Sequence, residues 1–158
     1  MCIPKEITVA TVEDELRGLE DYATRHGWQM HWDADALTLS FTGQHPNDGT
    51  KMLILADVNG YRALPPAWFF KNPLDSAQRN TFFPKPGTTR GGGGSIFHGS
   101  NTICAPFNRL AYQRYGGPHA DWGLECWLNV KDHICETNLA GMFASIVGHL
   151  KASPGMNK

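Results

Sequence analysis

From Leu139 onward the chain places Leu139, Met142, Phe143, Ile146, Val147 and Leu150 at offsets of 3, 4, 7, 8 and 11 residues. That is the period of an α-helix with a single apolar stripe, capped by Thr137 or Asn138 and stopped by Ser153-Pro154-Gly155. A stripe this continuous must be covered, so the rest of the chain has to supply a surface for it. Near the start, Val12, Leu16, Leu19 and Ala23 share one face of a second helix, which the sequence predicts from an N-cap at Thr11 to a stop at Gly27. Its other face alternates Glu13, Asp14, Glu15, Arg17, Glu20, Asp21 and Arg25, a solvated surface or a place for a partner to dock.

Between the helices the period changes to two. Trp28 to Trp32 and Leu37 to Phe41 predict two strands turning at Asp33-Ala34-Asp35. The turn-rich Gly43 to Gly49 then leads to an apolar run, Lys51 to Val58, expected to be a strand buried on both faces. Pro65-Pro66 opens a fourth, Ala67-Trp68-Phe69-Phe70, where missing amides are tolerated. The expectation is a single α+β domain over 1–158, since 158 residues at 41% hydrophobic and 18% charged suffice for one core.

From Lys71 to Gly94 the pattern dissolves into Asn, Pro, Ser and Gly and reads as a long flexible insertion. Its four glycines are followed by neither Gly-Lys-Ser/Thr nor a helix start, which argues against a phosphate-cradling loop. A net charge of -1 without a basic run argues against nucleic acid or an anionic membrane surface as partner. No stretch approaches a membrane span and no apolar leader opens the sequence, so a cytoplasmic protein is expected, with Cys2, Cys104, Cys126 and Cys135 reduced. The Cys and His spacing fits no usual zinc framework, and neither a metal nor a cofactor is expected.

The stretch from Ser95 to Phe107 describes a strand running into a loop that presents one thiol, Cys104, between Ile103 and Ala105-Pro106. A free cysteine there is either a small buried hydrophobe or a nucleophile. Phe107 to Tyr115 forms a short helical turn, and Gly116 to Gly123 is irregular, with His119, Asp121 and Trp122 clustered among glycines. His119 is either merely exposed or a base, and Trp122 either a core plug or part of the site.

A helix, four antiparallel strands, Pro65-Pro66, the His98-led loop reaching Ile103-Cys104, Trp127, and a closing helix ending at Ser153-Pro154 together resemble the ubiquitin-conjugating enzymes. The resemblance spans most of the chain and rests on the order of its pieces. It departs from that family at the loop, where His98-Gly99-Ser100-Asn101 replaces the His-Pro-Asn that precedes the cysteine. An intact His45-Pro46-Asn47 lies in an early hairpin and reads as coincidence. The insertion and the His119 to Trp122 segment look more like divergent bacterial relatives, which are encoded with a ubiquitin-like protein, an activating enzyme and a deconjugating peptidase and are implicated in antiviral defence.

The resemblance implies that Cys104 accepts the C-terminal glycine of a ubiquitin-like protein from an activating enzyme as a thioester, then passes it to an amine on a target protein. Asn101 is the candidate amide donor to the developing oxyanion, an interaction that lowers such a barrier by about 3 kcal/mol. His98, Pro106 and Trp122 organise the loop, and His119 with Asp121 deprotonates or orients the amine. Two other readings fit the same residues: a non-catalytic relative that binds the conjugation machinery, and a hydrolase using Cys104, His119 and Asp121.

Overall fold

The computed structural model describes residues 2–75, 77, 81–115, 119, 122–130 and 135–158. It is a mixed α+β fold with an N-terminal helix, a four-stranded antiparallel sheet and a C-terminal helix. Helix α1 runs Lys5–Arg25 and buries Thr8, Val12, Leu19 and Ala23. It begins earlier than its polar cap signal, because Pro4 occupies the N-cap and its carbonyl takes the Ile7 and Thr8 amides at 3.1 and 3.3 Å. Thr11 therefore lies inside the helix, where its hydroxyl donates to the Ile7 carbonyl at 2.7 Å. The helix does stop at Gly27, whose φ of 79° lets the Trp28 amide reach back to the Ala23 carbonyl at 2.8 Å.

Strands β1 (Gln29–Asp33), β2 (Thr38–Gln44), β3 (Lys51–Asp57) and β4 (Ala67–Lys71) pair in sequence order. Their register aligns Trp32, Leu39, Ala56 and Trp68 in one row, and Met30, Phe41, Ile54 and Phe70 in the next, all on one face. Helix α3 (Leu139–Ala152) covers that face. Its Phe143 stacks on Phe41 at 4.0 Å, meets Trp28 edge-on at 5.9 Å and stacks toward Trp68 at 6.5 Å, so one side chain joins β2, β4 and the residue before β1 to the helix. The cap is Asn138, accepting the Gly141 amide at 2.8 Å. Glu15 of α1 secures the same end, accepting from the Leu139 amide and the Tyr61 hydroxyl, each at 2.7 Å.

The expectation that β3 is buried on both faces is corrected. Met52, Ile54 and Ala56 are fully buried, while Leu53 and Leu55 are half-buried on an outer face without a covering element among the described residues. The loop expected over 71–94 also contains order. Phe82, Phe83 and Pro84 are buried, and β5 (Phe83–Pro84) pairs antiparallel with β6 (Met156–Asn157). The rings of Phe70, Phe83 and Phe97 meet edge-to-face at 5.5 to 5.7 Å. Trp68 is likewise fully buried.

His45-Pro46-Asn47 is a structural clasp between the β2–β3 turn and the end of α3. His45 is buried with its Nδ1 accepting the Asn47 amide at 3.1 Å. The Asn47 side-chain amide donates to the Lys151 and Ser153 carbonyls at 2.9 and 2.6 Å, which caps the C-terminus of α3. Asp48 accepts the Met156 amide at 2.8 Å and the Thr50 amide at 2.9 Å. A Cβ on Gly155 would meet the Asp48 carboxylate at 2.5 Å, so this approach needs glycine. Among the described residues no helix is long and apolar enough to cross a membrane.

Candidate active site

Cys104 sits just beyond the neck of a pinched loop. Phe97 and Ile103 form an antiparallel bridge, and the Cys104 amide donates to the Ile96 carbonyl at 2.8 Å. Phe97, Ile103, Ala105 and Phe107 are all buried, so alternate residues anchor the neck in the core and leave the Cys104 thiol half-buried between them. Cys2, Cys126 and Cys135, by contrast, are exposed. Burial pushes the Cys104 thiol pKa upward, because removing a thiolate from water disfavours the charged form.

The residue that fixes this neck is Asn108, which has no solvent exposure. Its Nδ2 donates to the Ile103 carbonyl at 2.8 Å, and its Oδ1 accepts the Trp68 amide at 2.9 Å and the Leu110 amide at 3.3 Å. One side chain thus ties the peptide before Cys104 to β4 and to the start of α2 (Arg109–Tyr115). The next residue, Arg109, donates from Nε to the Pro65 carbonyl at 3.1 Å and from Nη2 to the Asp57 carbonyl at 3.0 Å. It therefore serves the Pro-Pro segment rather than a ligand. The sequence reading missed Asn108. Its available signal was an Asn directly before a helical segment, the usual N-cap position.

Pro106 is buried, and its carbonyl accepts the Tyr112 hydroxyl at 2.9 Å, which secures the loop on its far side. Tyr112 lies 6.4 Å from Trp122, and Trp122 lies 4.3 Å from the exposed His119, ring centre to ring centre. These contacts bring three of the residues singled out from the sequence, Pro106, Trp122 and His119, into one chain of neighbours. Asp121 falls outside the described residues. No hydrogen bond joins His119 to Cys104 among the described residues.

The loop tip carries His98 and Asn101, both exposed. Asn101 has a φ of 57°, the left-handed conformation that asparagine tolerates better than most residues, and its amide reaches the His98 carbonyl at 3.4 Å. His98 contributes its backbone carbonyl to this turn, and its ring has no hydrogen-bond partner among the described residues. No group of three or more His, Cys, Asp and Glu side chains arranged to hold a metal ion occurs among the described residues. Comparison of the chain with protein-family models, curated proteins and solved structures returns no match.

Proposed function

We propose that the chain is a ubiquitin-conjugating-like carrier in which Cys104 holds a ubiquitin-like protein as a thioester and delivers it to a target amine. The observation that carries this reading is the half-buried Cys104 thiol set immediately after a bridged loop, on a neck pinned by the Ile96 carbonyl and by Asn108. In charging, Cys104 gives up its proton and Sγ attacks the carbonyl carbon of the thioester on an activating enzyme. The bond to the departing sulfur breaks, and that thiolate takes up a proton. Sulfur exchanges for sulfur, so no oxidant or cofactor is needed.

The raised pKa of Cys104 has two consequences for this chemistry. Little thiolate is present at neutral pH, so charging accelerates as pH rises. A thiol of raised pKa is also a poor leaving group, so an acyl group on Cys104 is held longer. A carrier benefits from that property. A Cys-His hydrolase needs the opposite direction, a thiol lowered by a neighbouring imidazolium, which ranks the hydrolase reading below the carrier. In transfer, Asn101 at the exposed tip is the donor to the thioester oxygen, and His119 with Asp121 acts on the incoming amine. A divergent bacterial setting with a role in antiviral defence extends the same reading.

The test is charging by a cognate activating enzyme with its ubiquitin-like protein and ATP, resolved on a gel with and without reductant. The carrier reading expects a reductant-labile adduct, replaced in Cys104→Ser by no adduct or by a reductant-resistant ester. No adduct with a demonstrably charged activating enzyme contradicts it and favours the non-catalytic binding relative.

A further inference from the structure

A groove of about 700 Å³ runs beside the loop tip, lined by Phe69 to Asn72 of β4 and its exit, Phe82 and Phe83, Gly99 to Thr102, and Arg114 of α2. It ends two residues short of Cys104 in the sequence. Its wall is built, since Phe83 is buried, packs edge-on to Phe70 and Phe97, and belongs to the strand paired with Met156–Asn157. Among the described residues the ionisable ones lining it are Lys71 and Arg114, both exposed, and no carboxylate lines it. Neither cation is in an ion pair among the described residues. A strip of aromatic and backbone surface with two positive charges that form no ion pair among the described residues complements an extended peptide bearing negative charge.

We propose that this groove receives the C-terminal tail of the acyl donor and selects a tail with acidic side chains upstream of its terminal glycine. The inference rests on the carrier reading of Cys104 and adds the chemistry of its partner. The tail lies along Gly99 to Thr102, its carboxylates face Lys71 and Arg114, and its last carbonyl carbon reaches Sγ of Cys104. There the new carbon–sulfur bond forms as the donor's carbon–sulfur bond breaks, and the Cys104 proton leaves with the departing thiol.

Short peptide thioesters of mercaptoethanesulfonate test this without the natural donor. Three hexapeptides ending in Gly-Gly differ only in carrying two Glu, two Gln or two Lys upstream, and they are reacted with a Cys2→Ser, Cys126→Ser, Cys135→Ser variant, so that Cys104 is the one thiol left and its acylation is read by intact-mass spectrometry. The Glu peptide is expected to react about five- to tenfold faster than the Lys peptide, a size set by two exposed ion pairs, with the gap shrinking at high salt. In the Lys71→Ser, Arg114→Ser double variant that advantage is expected to vanish. Equal rates for the three peptides, a preference for Lys, or a gap that survives in the double variant overturns the tail selection while leaving the carrier reading intact. If no peptide acylates Cys104 although iodoacetamide alkylates it, the carrier reading itself fails and the selection falls with it.

Discussion

Two histidine-led turns ending in asparagine, His45-Pro46-Asn47 and His98-Gly99-Ser100-Asn101, use similar residues for opposite purposes. In the first, His45 is buried and every polar group of Asn47 described above is spent on the fold, two of its bonds crossing to the end of α3. In the second, His98 and Asn101 stand in solvent, and at the neck Asn108 and the Ile96 carbonyl hold the two ends of the peptide group that joins Ile103 to Cys104. The difference lies in what each turn touches, not in its composition. A turn whose polar groups bridge distant elements makes stability; the turn held at its neck instead leaves the side chains of His98 and Asn101 exposed.

Removing the anchor of the second turn has the largest expected effect on stability. Asn108→Ala leaves the Trp68 amide and the Ile103 carbonyl unpaired in the core, at about 3 kcal/mol. For a chain of this size that lowers Tm by about 10 °C, and the loosened neck is expected to speed alkylation of Cys104. A melt within about 2 °C of the parent's would show that the neck does not depend on this side chain.

Asn47→Ala comes next. It strips the cap from the Lys151 and Ser153 carbonyls, one bond being exposed and one half-buried, and costs about 1–2 kcal/mol in denaturant titration. Alkylation of Cys104 should stay at the parent rate, since the clasp does not touch the neck. A changed rate would merge the two regions that the comparison separates.

Acid reports on the same clasp. Partial burial opposes ionisation of Asp48, but the amides of Met156 and Thr50 outweigh it, with the charge of His45 adding, and hold the carboxyl at about 2, below its ordinary 3.8. A carboxyl lowered by folding stabilises the fold above its unfolded pKa, and the contribution is lost as pH falls from about 4 toward 2. Asp48→Asn should flatten that limb of the stability profile. An unchanged limb would place the acid sensitivity elsewhere.

The smallest effect on stability is expected at the tip of the second turn. Asn101→Gly keeps the left-handed backbone and removes the side-chain amide, so stability should move by no more than about 0.5 kcal/mol. Discharge of charged Cys104 to free lysine should nevertheless slow about 100-fold if that amide serves the oxyanion. Parental discharge would remove Asn101 from the chemistry.

Much of this architecture was legible because it is written in local periods. The stripe from Leu139 to Leu150 and the alternation of Leu37, Leu39 and Phe41 fix the closing helix and the sheet without reference to anything remote. What was not legible depends on distant partners. The clasp joins Asn47 to residues more than a hundred positions away, and the two-residue strands β5 and β6 exist only because each finds the other. The start of α1 was misplaced because Pro4 caps it through backbone geometry, with no polar side chain to announce it. At the candidate site the loop thiol was legible from Ile103-Cys104 and its small polar approach. Its buried anchor Asn108 was hidden, since an asparagine before a helix has the same spelling whether it caps, clamps or does both.

The most direct test of the account is to map the thioester after enzymatic charging, by nonreducing digestion and mass spectrometry at low pH. Cys2, Cys126 and Cys135 are exposed and Cys104 is half-buried with its pKa raised, so unguided chemistry at neutral pH would favour the other three. The acyl group is expected on Cys104 alone. An acyl group spread over the exposed cysteines, or seated on one of them, would contradict it.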